Sequence, residues 1–268
     1  MDRYVACIAV AYPHDRDTFP AQAAETVKPI IDAGTEYGLW PDDDSTHRCA
    51  TVYFRAPGHA PAHRHRLTVF IIPVPSRPAY VVSRDLNQTI IDAARDRGQA
   101  YRAASLQFTV PFGLWVTSNI TDSDILARQH GHRKASTWGG RRAQGVREQT
   151  IGTLRSMGAD KWRRTGASLT GTPFITFAGI RYATDRDADP DNAAETVDAL
   201  MRAGADAGRI DGVSGTQCKA TVFFRLKGKA APSEHDVKLY AVAIPDGTQW
   251  LDLLLDSCDR AWRRGGTR

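Results

Sequence analysis

A fixed internal repeat constrains this chain more than any other feature. Residues 12–55 recur at 182–225 with a constant offset of 170 positions. Tyr12 and Tyr182, Asp17 and Asp187, Ala-Ala-Glu-Thr-Val at 23–27 and 193–197, Gly38 and Gly208, and Phe54-Arg55 and Phe224-Arg225 all align without a gap. A run of consecutive identities in one register over more than forty positions marks a duplication. Such a chain is expected to fold as two copies of one unit.

Each copy predicts β-α-β-β. The first strands fall at 4–12 and 174–182, rich in β-branched and aromatic residues. Helices follow at about 21–37 and 192–207, where Val27, Ile30 and Ile31, or Val197, Leu200 and Met201, recur at helical spacing. Gly38 and Gly208 stand where a helix C-terminus favours glycine. Strands at 50–55 and 67–73, and at 220–226 and 237–244, complete the units. Upstream of the second copy come a strand at 105–117, a polar stretch at 118–140 and a helix at 141–157. A strand at 79–83 and a helix at 86–103 offer the first copy a permuted equivalent. The division expected is 1–104 as a partial or permuted repeat, 105–256 as a complete one and 257–268 as a basic tail.

The 268 residues, 42% hydrophobic and 24% charged, exclude a disordered, collagenous or coiled-coil chain. No apolar run has the length of a membrane span, and the N-terminus, acidic at Asp2 and polar by His14, makes a poor signal peptide. A cytoplasmic protein with no membrane partner is expected. Cys7, Cys49, Cys218 and Cys258 lie too far apart in sequence for a CxxC clip and read as buried thiols. His59, His63 and His65 lack the spacing of a helical zinc site.

Clustered carboxylates carry the chemical signal. The loop before the second helix contains Asp185, Asp187, Asp189, Asp191 and Asn192, and the turn after the first helix contains Asp42, Asp43 and Asp44. Two acidic groups on a turn met by a third from elsewhere suit a hard Mg²⁺ ion, which can polarise a phosphoryl oxygen. The same residues also fill turns and cap helices, with Asp191 or Asn192 as a helix N-cap.

The ordered set Asp189-Pro190-Asp191-Asn192, an amphipathic helix, then Gly38-Leu39-Trp40 and Asp42-Asp43 resembles the RusA-type Holliday junction resolvases, small dimeric endonucleases of phages and prophages. The likeness covers about 105–245 as a complete unit and about 4–75 as a partial one; Leu114–Asn119, followed by a basic stretch and a helix, resembles the family's N-terminal strand and DNA-contacting loop. It implies an α+β fold of duplicated β-α-β-α-β-β units, a mixed sheet with helices on one side, joined as a single-chain pseudo-dimer that is monomeric or forms a homodimer. It implies phosphodiester hydrolysis in branched DNA, with Mg²⁺ as cofactor and Mn²⁺ as substitute. Asp189, Asp191, Asp211, Lys28, Asp42 and Asp43 then carry catalysis, with Asp189, Asp191, Asp211 and Asp43 as metal ligands.

Carried over position by position, the motif is divided. The second copy keeps DxDN but has Asp198 opposite Lys28, and Gly212 and Val213 opposite Asp42 and Asp43, which leaves Asp211 as its late carboxylate. The first copy keeps Lys28 and the late pair but has Phe19-Pro20-Ala21-Gln22 in place of DxDN, with Asp15 and Asp17 just before it. Two readings follow: an active nuclease, or a degenerate relative that binds branched DNA or a partner without cutting. The second copy's site is expected to hold the metal better, unless the halves pool their ligands.

Residues 125–147 include Arg128, Arg133, Lys134, Arg141, Arg142 and Arg147, with Trp138 among them. Such residues build phosphate-contacting surfaces and equally a solvated face. Neutralising Arg133, Lys134, Arg141 and Arg142 together is expected to weaken four-way-junction binding and to lower the log–log salt slope by about one unit per lost phosphate contact. An unchanged slope makes the segment a solvated face only.

Overall fold

The computed structural model describes residues 1–14, 18–76, 80–116, 135–184 and 189–265, with 135–147 and 265 given by backbone alone. Its elements run β1 (Arg3–Ala11), α1 (Ala24–Glu36), β2 (Arg48–Arg55), β3 (Arg66–Val74), α2 (Val82–Asp96), β4 (Ala103–Pro111), α3 (Ala135–Arg164), β5 (Phe174–Arg181), α4 (Ala194–Asp206), β6 (Cys218–Arg225), β7 (Glu234–Ala243) and α5 (Trp250–Gly265). The fold is α+β. One seven-stranded mixed sheet has the order β3-β1-β2-β6-β5-β7-β4. No helix among the described residues is long and apolar enough to cross a membrane.

β2 and β6 meet at the middle of the sheet. They pair antiparallel with Val52 opposite Val222, two residues that the repeat register equates. On either side the parallel pairs β1–β2 and β5–β6 follow. A register irregularity falls between Tyr4 and Val5 in one pair and between Phe174 and Ile175 in the other. Both helix ends are closed alike: Gly38 and Gly208 take φ of 68° and 65°, which glycine adopts without steric cost. Just beyond each, the Leu39 N–H donates to Gly34 O and the Arg209 N–H to Gly204 O, both at 2.9 Å.

The helices cover both faces of the sheet rather than one. α1, α3 and α4 pack through Val27, Ile31, Leu154, Trp162, Val197 and Leu200 onto Tyr4, Ala6, Ile8 and Val10. α2 and α5 pack through Leu86, Ile90, Leu253, Leu254 and Cys258 onto Val5, Cys7, Ala9 and Val52. The cause lies in β1 itself: every residue from Tyr4 to Ala11 is buried, so both faces of the strand need a cover. The stretch 257–265, expected as a basic tail, lies in α5. Its arginines face outward, while Leu253, Leu254, Cys258 and Ala261 form a buried stripe at helical spacing. Residues 80–83 hold no strand, and α2 starts at Val82. α2 and α5 occupy corresponding places after β3 and β7. Among the described residues of the first half no element corresponds to β4 or α3.

α3 covers α4 through close contacts. A Cβ on Gly158 would lie 2.6 Å from the Ala203 Cβ, and one on Gly204 would lie 2.7 Å from the Trp162 ring. The Trp162 Nε1–H donates to Leu200 O at 2.9 Å. In the first half the position of Gly204 is taken by Gly34, and the indole over it is Trp40, from the turn just after the same helix. Without an α3 equivalent, Ile30 is 41% exposed where Leu200 is fully buried. Gly204→Ala is expected to cost roughly 1–3 kcal/mol through overpacking against Trp162. Urea unfolding reads it, and an unchanged midpoint would mean that this contact is looser than described.

Candidate active site

The two short 3-10 turns Pro20–Ala23 and Pro190–Ala193 lead into α1 and α4, each with proline at its start, where the missing N–H costs nothing. Neither the second turn nor α4 has a side-chain cap. Asp189 and Asp191 are therefore not helix caps. Both carboxylates are instead directed at the first half of the chain, next to the β2–β6 junction.

Asp189 is gripped by two cations of the first half. Lys28 Nζ lies 3.0 Å from its Oδ2, and the Arg48 guanidinium donates to its Oδ1. The Tyr53 hydroxyl donates to Asp191 Oδ2 at 2.6 Å. Tyr182 OH donates to the Asp189 carbonyl at 2.7 Å and fixes the loop from behind. Arg48, Asp189 and Asp191 are all buried, at 5%, 7% and 5% exposure, and charges so placed require partners.

The electrostatics are those of a crowded carboxylate cluster. Burial pushes the Asp191 carboxyl upward and the charge of Asp189 adds to this, against the opposing pull of Arg48 and Tyr53. Asp43 is pushed up to about 6, by burial first and then by a shared hydrogen bond with Asp32, with Asp189 adding and Arg48 opposing. Burial would lower the Lys28 ammonium, but its hydrogen bond and charge contact with Asp189, aided by Asp32 and Asp191, carry it above its ordinary value. Burial raises the Tyr4 phenol, which feels Arg48, Asp43, Asp189 and Asp42. Tyr4 OH is buried with no hydrogen-bond partner among the described residues.

The expected residues thus divide. Asp189, Asp191, Lys28 and Asp43 lie in one charged cluster drawn from both halves. Asp211 does not supply the third carboxylate: its Oδ2 accepts the Gly171 N–H at 2.7 Å, and Asp43 faces the cluster instead. Asp42 is exposed and accepts the Asp43 N–H at 2.8 Å. Asp44 closes its own turn by accepting the N–H groups of Thr46 and His47, at 2.7 and 3.0 Å. Asp15, Asp17, Asp185, Asp187, Arg128, Arg133 and Lys134 lie outside the described residues, and Arg141, Arg142 and Arg147 lie in the part of α3 given by backbone alone. Arg48, Tyr53 and Tyr4 were not anticipated. The repeat held a signal for them, since the equivalent positions carry Cys218, Phe223 and Phe174.

For a divalent cation, the test is the donor set. Among the described residues no three His, Cys, Asp or Glu side chains stand gathered as a ligand group, because Arg48 and Tyr53 engage Asp189 and Asp191. The chemistry nevertheless fits. Asp32, Asp43, Asp189 and Asp191 outnumber Lys28 and Arg48, and the Tyr4 hydroxyl, buried without a hydrogen-bond partner among the described residues, feels the charges of Asp43 and Asp189. Hard oxygen donors with surplus negative charge suit Mg²⁺. No known protein family, curated protein or solved structure matches the chain.

The folded chain holds the Asp43 proton more tightly than the unfolded one. Stability is therefore expected to fall as pH rises from about 4 through about 6. Allowing for the partial exposure of Asp43, the loss is on the order of 1 kcal/mol. Asp43→Asn should remove this slope and raise the melting temperature at pH 7.5 by a few degrees, with little change at pH 4. Equal melting temperatures at pH 7.5 would take Asp43 out of the cluster.

Proposed function

We propose that the chain is a duplicated RusA-like unit, a single-chain pseudo-dimer, acting in the cytoplasm as a Mg²⁺-dependent endonuclease on branched DNA such as Holliday junctions. Several features support the duplication. Val52 faces its own repeat equivalent, the same irregularity recurs in β1–β2 and β5–β6, and Ala60 N–H to Tyr12 O recurs as Ala230 N–H to Tyr182 O, both 2.9 Å. These relations suit a pseudo-two-fold axis through the β2–β6 junction, and a two-fold protein suits a junction with near two-fold symmetry.

The observation that carries the functional reading is the reunion of the divided motif. Asp189 and Asp191 come from the second half, Lys28 and Asp43 from the first, and Lys28 bonds Asp189 directly. Asp189, Asp191 and Asp43 would hold the cation. The chemistry such an ion supplies is polarisation of a phosphoryl oxygen and a water acidic enough to attack it. Lys28, kept charged by Asp189, is suited to balance the charge that builds on the phosphate.

A second reading draws on the Arg48–Asp189 contact: a guanidinium lodged among the carboxylates fits a protein that binds branched DNA without cutting it. A four-way-junction assay with Mg²⁺ separates the two. Under the first reading Asp191→Asn and Asp43→Asn each abolish cleavage, and Lys28→Ala lowers it by roughly 100-fold. Junction binding without cleavage at any Mg²⁺ concentration supports the second.

A further inference from the structure

The pseudo-two-fold relation generates a second site on the other side of the β2–β6 junction, and its chemistry has been removed. Six polar side chains of the composite site have apolar counterparts there: Tyr4 becomes Phe174, Asp43 becomes Val213, Arg48 becomes Cys218, Tyr53 becomes Phe223, Asp189 becomes Phe19 and Asp191 becomes Ala21. All six counterparts are buried, none more than 1% exposed, and all belong to the same core cluster. The charged pair on the helix is inverted as well. Where α1 carries Lys28 and Asp32, α4 carries Asp198 and Arg202. Arg202 Nε donates to Asp198 Oδ1 at 2.9 Å, and Gln22 Nε2 donates to Asp198 Oδ2 at 3.2 Å. This side is packed as core: it offers one already engaged carboxylate and apolar walls, which bind neither a hard cation nor a phosphate.

We infer that the protein has one working site and breaks one strand of a branched DNA per encounter, so that it nicks rather than resolves. This inference rests on the endonuclease reading above. In the single step, one P–O ester bond breaks, the oxygen of water bonds to phosphorus, the leaving sugar oxygen gains a proton, and the second proton of the water passes to solvent. A paired cut on the opposite strand needs a second such site across the axis, and that position is filled by Phe19, Ala21 and Val213. Release and rebinding in the opposite orientation, or a second molecule, must supply it.

Two measurements on the full chain test this. The first is Mn²⁺ binding followed by electron paramagnetic resonance, which needs no turnover. One Mn²⁺ per chain is expected, retained in Asp198→Asn and lost in Asp191→Asn; if the latter does not fold, Asp43→Asn, at a more exposed position, serves in its place. Two Mn²⁺ per chain overturn the one-sided site while leaving the endonuclease reading intact. None overturns both. The second measurement is cleavage of a supercoiled plasmid bearing an extruded cruciform. Nicked circles are expected to accumulate first, with linear molecules following after a lag that shortens as protein concentration rises. Linear molecules formed without a lag, at a rate independent of protein excess, overturn single-strand cutting.

Discussion

Arg48 carries a buried charge whose ion-pair partner comes from the other half of the chain. It sits at the start of β2, almost fully enclosed, and its ion-pair partner Asp189 comes from the loop that opens α4. An uncompensated buried ion costs several kcal/mol even after relaxation. The first half therefore depends on the second for more than apolar cover, and Asp189 and Asp191 depend on the first half in the same way. The charge contact and the β2–β6 pairing act at one place, so the centre of the sheet and the charged cluster coincide.

That coincidence orders the rest of the molecule. Strand pairing brings Tyr53 to the junction, where its hydroxyl reaches Asp191 across the halves. Tyr4, one strand further out, feels the charges of Arg48, Asp43 and Asp189. The two 3-10 turns stand at matching places on either side, yet one delivers two carboxylates and the other a phenylalanine and an alanine. A similar backbone thus supports a buried charged cluster on one side and apolar core on the other.

Much of this was readable in the amino-acid order. The repeat register located β1, α1 and β2 and their counterparts β5, α4 and β6, because strand composition, helical spacing and the glycines after the helices agreed. The charge of Arg260, Arg263 and Arg264 hid α5: the basic residues dominate the composition of that stretch, while the apolar stripe of Leu254, Cys258 and Ala261 shows only at helical period. The composite site was not assignable to particular partners, since the sequence does not state that β2 pairs with β6. Asp211 was nearest in sequence to the second copy's motif, but proximity along the chain is not proximity across the junction, and Asp43 faces the cluster instead. Arg48 and Tyr53 are not carboxylates and carry no motif of their own; their signal is the exchange of polar for apolar residues at repeat-equivalent positions, Cys218 and Phe223.

The two glycine–indole contacts give the halves separate spectroscopic signatures. Trp162 is buried against Gly204 through a helix that arrives from elsewhere in the chain, whereas Trp40 folds back over Gly34 within its own turn. One indole registers the docking of α3 and the other registers a local closure. Single-tryptophan variants, with Trp115, Trp138, Trp250 and Trp262 and one of this pair replaced, would emit from a single half, so the order in which the halves open becomes visible as two distinct fluorescence transitions or as one.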